Sequence, residues 1–295
     1  MPVTLPDNAA RKEKSFLQTF VAVKGNHSCL SIRFYRFVAV ILCALLFVFS
    51  YRADIQILEG SLVGSRFVGF HLIDPFVCLE VWVSAQTLPV NLAIGAASIV
   101  LIYLFLGGRM FCSWVCPYGL LSEIGEWIHL RLIERKIIQK HPRLPLDTKY
   151  YLLALFLILN MVTGVLVFEF FNAVGIISRC LIYGFSFSIL WVVFVFLVEV
   201  FYSRRLWCRS FCPVGATYGL LNKLSMIKIK AKPSKCTRCG DCLSACHVPE
   251  ALAPVFHAND QKSRYITLTD CTLCGRCVDR CRTQALSFGN KLKDW

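Results

Sequence analysis

Residues 236–246 read CTRCGDCLSAC, and residues 271–281 read CTLCGRCVDRC. Both runs are C-x2-C-x2-C-x3-C, and every cysteine of the second follows its counterpart at one constant offset. Three thiolates at every third position wrap one corner of a cubane. In bacterial iron–sulfur proteins with this spacing, the fourth cysteine of a run serves the other cluster. The expected ligand sets are therefore Cys236, Cys239 and Cys242 with Cys281, and Cys271, Cys274 and Cys277 with Cys246. Gly240 and Gly275 stand between second and third ligands, where a crowded loop needs a residue without a Cβ. A pair of zinc sites would need only four ligands each, usually as two separated cysteine pairs. It would give no reason for a third close cysteine or for a duplicate run. The spacing predicts two [4Fe–4S] clusters and electron transfer.

Working outward from the tail, the rest of the chain is apolar. Only 17% of the 295 residues are charged, too few for an ordinary soluble protein. Four stretches approach the ~20 residues that a helix needs to cross a bilayer core: Phe34 to Ser50, Leu88 to Leu106, Tyr150 to Phe168 and Leu181 to Tyr202. The first is the shortest and carries Arg36; no small-residue cleavage site follows it, so it does not read as a cleaved signal. The expected fold is an α-helical membrane protein, four transmembrane helices arranged as two repeated hairpins, with a small C-terminal α+β two-cluster ferredoxin-like domain. Its parts are a cytoplasmic segment over 1–33, the membrane domain over 34–225 and the ferredoxin domain over 226–295.

Lys and Arg crowd the segment before the first stretch, the connection from the second to the third, and everything after the fourth. They are sparse in the other two connections. This asymmetry places both termini on the cytoplasmic side of the membrane. It also accounts for the net charge of +14 without nucleic acid, for which there is no recognition motif.

Sixteen cysteines in a reducing cytoplasm read as metal ligands rather than disulfides. Four of them (Cys29, Cys43, Cys78 and Cys180) show no ligand spacing. Cys43 reads as a small apolar residue, and a Cys78–Cys180 disulfide is conceivable because both fall near the outer face. The remaining four form a second duplication. Arg109-Met-Phe-Cys112-Ser-Trp-Val-Cys116-Pro117 follows the second stretch, and Arg205-Leu-Trp-Cys208-Arg-Ser-Phe-Cys212-Pro213 follows the fourth. Residues four apart share a helix face, so each pair could grip one edge of a metal or cluster, and together Cys112, Cys116, Cys208 and Cys212 could complete a third site. Alternatively the thiols stay free and the prolines only end helices.

Beyond Pro117, Leu120, Leu121, Ile124, Trp127 and Ile128 recur at helical spacing, as for a helix lying on the inner surface with its apolar face among headgroups. A shorter counterpart follows Pro213. The Lys228–Lys235 alternation, Ile266-Thr-Leu and Ala285-Leu-Ser-Phe supply short strands for a compact βαβ ferredoxin-like unit held together by cluster ligation. The 51–87 connection offers acceptors for the protons that quinol oxidation releases. His71 and Asp74 are the candidates there, beside Asp54, Glu59 and Glu80, with Phe70–Phe76 as a short re-entrant segment. Glu169 and Glu199 are further candidates, though Glu199 could instead pair with Arg204 or Arg205.

Together these features resemble the ferredoxin-type NapH family. The matching residues are the four apolar stretches, FCSWVCP and CRSFCPVGA, the eight-cysteine tail, Asp74-Pro75 and the segment Asn172 to Arg179. The resemblance implies a quinol dehydrogenase component of a periplasmic nitrate reductase system. Such a protein takes electrons from the membrane quinone pool and passes them through iron–sulfur clusters towards a periplasmic iron–sulfur protein or multihaem cytochrome. Two departures are His247 after Cys246 and Arg282 after Cys281, where the family often has proline. Related proteins with the same membrane core serve methylamine utilisation. They keep a second reading open: an assembly or maturation factor that supplies electrons or metal to an exported metalloenzyme.

Overall fold

The computed structural model describes residues 20–24, 27–53, 58–67, 69–138, 144–252 and 264–291. Asp54 and most of the N-terminal segment lie outside them. A hairpin of β1 (Val21–Lys24) and β2 (His27–Leu30) leads into α1 (Ile32–Arg52). Ser31 caps α1 by accepting from Phe34 N. Its 21 residues span about 31 Å, and by length and composition it is the one described helix able to cross a membrane. A three-stranded meander follows: β3 (Leu58–Ser61), β4 (Gly64–Phe67) and β5 (Phe70–Ile73). The expected re-entrant segment is thus a strand running into a capped helix. Asp74 accepts from Phe76 N and Pro75 opens α2 (Pro75–Ala85), which turns at Gln86 into α3 (Val90–Leu106).

Then come α4 (Phe111–Trp114), α5 (Pro117–Glu134) and α6 (Thr148–Thr163). The expected fourth span is broken. Gly184, at φ +103°, separates α7 (Ala173–Tyr183) from α8 (Ile189–Phe201), because a left-handed residue cannot continue a right-handed helix. Hydropathy alone does not register such a break. The third expected span likewise ends early at Gly164, φ +67°. A π-helical turn (Trp207–Phe211) and α9 (Pro213–Leu224) complete this part of the chain.

The duplication seen around the cysteines extends much further. Each half has a long helix (α1; α6), a short helix capped by Asp74 or Asn172 (α2; α7), and an apolar helix (α3; α8). Each then has a Cys-x3-Cys turn and a helix with proline in its first turn (α5; α9). The halves interlock: α1 packs on α7 while α6 packs on α2, and α5 packs on α8 while α9 packs on α3. Between them lies a core of Phe76, Phe168, Val174, Ile176, Tyr118, Tyr218, Cys116 and Cys212. On the outside, α1, α3, α6 and α8 expose Leu42, Phe49, Phe105, Ile158, Phe194 and other large apolar side chains.

Helix α5 differs from expectation in which face it buries. Ser122, Glu123, Glu126 and His129 point inward, whereas the apolar Leu120, Leu121, Ile124, Trp127 and Ile128 are only half-buried. The polar face finds charged partners inside, and these repay its desolvation.

The C-terminal unit is a small antiparallel sheet, β7 (Arg264–Tyr265), β6 (Ile227–Ala231) and β8 (Leu286–Asn290) in that order. It carries the short helices α10 (Asp241–Ala245) and α11 (Arg276–Arg280). Strand β7 lies just before the expected Ile266-Thr-Leu, and all its ladders are antiparallel rather than the parallel pairs of a βαβ unit.

Candidate iron–sulfur and Cys-x3-Cys-Pro sites

In both ligand runs the backbone coils the same way. Arg238 (φ +55°) and Gly240 (φ +79°) flank Cys239, and Leu273 (φ +53°) and Gly275 (φ +72°) flank Cys274. Left-handed residues in such turns point successive N–H groups into a concavity suited to an anionic group. At Gly275 the glycine is also steric, since a Cβ would lie 2.7 Å from the Ile32 side chain. After each glycine a short helix carries the third cysteine, and the fourth follows its end.

The chain brings the eight cysteines into two groups. Cys242 has Cys281, Cys236 and Cys239 as electrostatic neighbours; Cys277 has Cys246, Cys274 and Cys271. The second group lines a cavity closed by Ile229, Val248, Leu252 and Ile266. Burial, then neighbouring thiols, push the Cys242 thiol up to about 12, and burial pushes Cys271 up to about 11. Cys246 and Cys277 rise further for the same reasons. Thiols so placed become thiolates only when cations compensate them, and a coordinating metal does this outright. Among the described residues no three His, Cys, Asp or Glu side chains converge as a single metal ion requires. A four-iron cluster takes four thiolates, one at each iron. The donor sets and the concave loops fit [4Fe–4S] clusters.

The Cys-x3-Cys-Pro cysteines also gather, here between the two halves. Cys116 neighbours Cys112 and Cys212, and Cys208 neighbours Cys116 and Cys212. Cys116 and Cys212 are the N-cap residues of α5 and α9, and Cys212 Sγ accepts from Gly215 N at 3.4 Å. Two helix N-termini thus lend partial positive charge to the same thiols. The π-turn carrying Cys208 is of a kind that often marks functional sites. Cys78 and Cys180 are both free thiols, so the conceivable disulfide is not formed.

Between the two sites runs a clamp. Arg36 Nη1 donates to Cys274 O at 3.1 Å, Ser113 Oγ to Thr272 O at 2.7 Å, and Trp114 Nε1 to Leu273 O at 3.3 Å. Arg109 Nη1 donates to Asp270 Oδ1 at 2.9 Å, and its Nη2 to Cys208 O at 3.1 Å. Asn222 Nδ2 donates to Cys271 O at 3.2 Å. Ser113 and Trp114 lie between Cys112 and Cys116, so one short segment touches both sites. Asp270 also pairs with Lys149.

Above the clamp, two buried carboxylates hold five arginines. Glu123 takes Arg33 at 2.7 Å, Arg36 at 2.6 Å and Arg205 at 3.2 Å. Glu126 takes Arg205 at 2.6 Å and Arg276 at 2.7 Å, together with Arg204. Burial alone would raise both carboxyls, but the arginines hold them well below the usual range. Arg276 stands between Cys274 and Cys277, so the network reaches the second ligand run. Sequence reasoning noted the Arg-x-aromatic-Cys repeat but not its use: Arg109 and Arg205 are both buried ion-pair anchors. Glu199 pairs with neither Arg204 nor Arg205; it accepts from Trp207 N at 2.9 Å.

Of the proton-acceptor candidates, Asp74 and Glu80 are buried and share electrostatic reach with Glu169. Asp74 also meets the Tyr218 hydroxyl. Glu169 accepts from Asn172 Nδ2 at 2.9 Å. His71 stands apart on β5, where its Nε2 accepts from Arg66 Nε at 3.2 Å beside an open cleft.

A family model described as a 4Fe-4S binding domain matches twice, over residues 88–137 and 183–232, once in each half. A 4Fe-4S dicluster domain matches 235–285. The ferredoxin-type protein NapH of Haemophilus influenzae is 32% identical over 80% of this chain and 82% of its own. That of Escherichia coli is 35% identical over 77% and 78%. This chain belongs to the ferredoxin-type NapH family. The methylamine utilization ferredoxin-type protein MauN of Methylorubrum extorquens is 33% identical over 69% of this chain and 70% of its own, so NapH and MauN proteins are comparably near. No solved structure matches. The chain is a ferredoxin-type iron–sulfur electron-transfer protein.

Proposed function

We propose that the chain is a multi-pass protein of a bacterial inner membrane, with both termini cytoplasmic, that oxidises quinol and delivers electrons towards a periplasmic reductase. Large apolar side chains are exposed along α1, α3, α6 and α8, a kind of surface that soluble monomers keep small, and lipid is the natural cover for it. Cys236, Cys239, Cys242 and Cys281 would hold one [4Fe–4S] cluster, and Cys271, Cys274, Cys277 and Cys246 the other. Cys112, Cys116, Cys208 and Cys212 form a third candidate metal or cluster site. Bound there, the clusters supply one-electron carriers. The domain boundaries fall near residues 33 and 225.

The observation that carries this reading is continuity. Arg109, Ser113 and Trp114 tie the membrane thiols to the second ligand run without an intervening layer. The residues have separable tasks. Asp74, buried beside Tyr218, takes a quinol proton; Arg109 and Lys149 fix Asp270 and with it the second run. Phe76, Phe168 and Trp207 keep water from the thiols. A periplasmic iron–sulfur protein or multihaem cytochrome is the proposed recipient.

The comparable identity to MauN favours a second reading, in which the same electrons serve maturation of an exported enzyme. Electron paramagnetic resonance with iron and sulfide quantitation, on anaerobically purified protein before and after a quinol analogue, separates the two. About eight irons per chain with signals appearing on quinol addition is the expected result. Eight irons that quinol cannot reduce would sink quinol oxidation and leave the maturation reading.

A further inference from the structure

The two halves of the molecule tie to each other in matching places with unlike side chains. Asp74, Glu80 and Leu62 of the first half correspond to Asn172, Ser178 and Asn160 of the second at one constant offset. Where α7 meets the turn after β3, Asn172 Oδ1 accepts from Val174 N at 3.2 Å and Ser178 Oγ accepts from Leu62 N at 3.1 Å. Where α2 meets α6, Asp74 Oδ1 accepts from Phe76 N at 2.8 Å and Glu80 Oε1 accepts from Asn160 Nδ2 at 2.7 Å. An amide and a hydroxyl thus perform in one half the structural tasks that two carboxyls perform in the other. Burying ionisable groups is costly, so the two carboxyls exceed what packing requires. Glu80 is wholly buried, and its Oε2 has no hydrogen-bond partner.

Both carboxyls lead to a third. Glu169 is an electrostatic neighbour of Asp74 and of Glu80. Unlike them it reaches the surface, its side chain 18% exposed. Glu169 Oε1 accepts from Asn172 Nδ2 at 2.9 Å, and its Oε2 stands 3.9 Å from Nη1 of the exposed Arg179. Arg179 Nη2 also donates to Glu169 O at 3.2 Å.

We propose that Glu169 is the exit carboxylate through which protons taken up at Asp74 and Glu80 leave the protein beside Arg179. The inference rests on the proposed quinol oxidation, whose proton side it supplies. Oxidising one quinol to quinone releases two electrons and two protons. The electrons pass to the iron–sulfur sites; the two O–H bonds break on the quinol and form on Asp74 and Glu80. Each proton then passes, directly or through one water, to Glu169 and on to solvent. All three carboxylates return to their starting charge, ready for the next quinol. The first half has His71 at the position of Glu169, and there its Nε2 accepts from Arg66 Nε instead.

The test uses full-length protein in detergent with its clusters reconstituted, mixed rapidly with a quinol analogue. Absorbance reports cluster reduction, and a pH-indicator dye reports proton release. Glu169→Gln keeps the oxygen that Asn172 meets but carries no proton. With iron content intact, it should slow proton release at least about tenfold, as loss of a proton-transfer group does. Reduction by dithionite, which delivers electrons alone, should keep its parental rate. Added formate, a small diffusible carboxylate, should restore part of the release rate, a rescue that a merely structural role would not show. Glu80→Gln should also slow release, whereas Ser178→Ala, at the matching tie, should leave it unchanged. A parental release rate in Glu169→Gln, or in Glu80→Gln where the first variant loses iron, would overturn the exit while leaving quinol oxidation standing. So would equal slowing with dithionite. A parent protein that dithionite reduces and quinol does not would remove quinol oxidation itself, and the exit with it.

Discussion

Two runs of eleven residues that share their four cysteines, a threonine and a glycine end in different surroundings. CTRCGDCLSAC and CTLCGRCVDRC share left-handed turns at the same positions, yet Cys239 is exposed while Cys274 and Cys277 are buried. The local code sets how each loop coils around its site. What lies beyond each loop is set by residues far away: the second run's carbonyls are met by Arg36, Ser113, Trp114 and Asn222, while in the first Ser244 meets Asp241 O from within the run. A ligand motif therefore specifies a site's shape without specifying its exposure. Exposure decides whether a site faces the protein or a partner.

The contrast is broken most severely at the arginine network. Glu126→Gln leaves Arg204, Arg205 and Arg276 crowded around a neutral amide, and removing one partner of a buried pair costs about 3–5 kcal/mol. Thermal unfolding in detergent should show a loss of that order, together with loss of iron from the second run first. An unchanged midpoint would mean that the network contributes nothing to docking the two parts.

Acid probes the same carboxylates more gently. Glu123 and Glu126 are held below their ordinary value of 4.5, so they stabilise the fold fully above that value. Their contribution fades as pH falls from about 4.5 towards the lower folded-state values. The stability difference between the parent and Glu126→Gln should therefore be constant from pH 8 to 5 and shrink below 4.5. A difference that grows on acidification would reverse the sign of the argument.

Finer still is the clamp. Ser113→Ala removes the donor to Thr272 O and leaves a buried carbonyl unmet, at about 1–3 kcal/mol. Hydrogen exchange should rise at residues 271–277 and not at 236–242. In the first run, Ser244→Ala deletes an exposed bond to Asp241 O and should stay within about 0.5 kcal/mol. If the two serines cost the same, the difference in surroundings has no energetic content.

Much of this was legible in the letters. The eight tail cysteines, the four Cys-x3-Cys-Pro thiols and the duplication behind them are local spacings, and local spacing survives in one dimension. Asp74-Pro75 and Asn172 carry helix-start signals that the re-entrant reading of Phe70–Phe76 and the loop reading of Asn172 to Arg179 passed over. The inward polar face of α5 was not legible, because Glu123 and Glu126 reach Arg36, Arg205 and Arg276 across the whole chain, and a periodic apolar face reads alike whether its polar side meets water or buried arginines. The break at Gly184 was lost within an unbroken apolar stretch, where average hydropathy outweighs one left-handed residue.

The crossed packing of the two halves has a consequence for how the molecule comes to exist. Helices α1, α2, α3 and α5 leave the ribosome with their binding surfaces turned towards α6, α7, α8 and α9, which have not yet been made. The early half must wait, its core incomplete, until its twin arrives to pack against it. The dicluster segment, translated after both halves, closes over a join that only then exists.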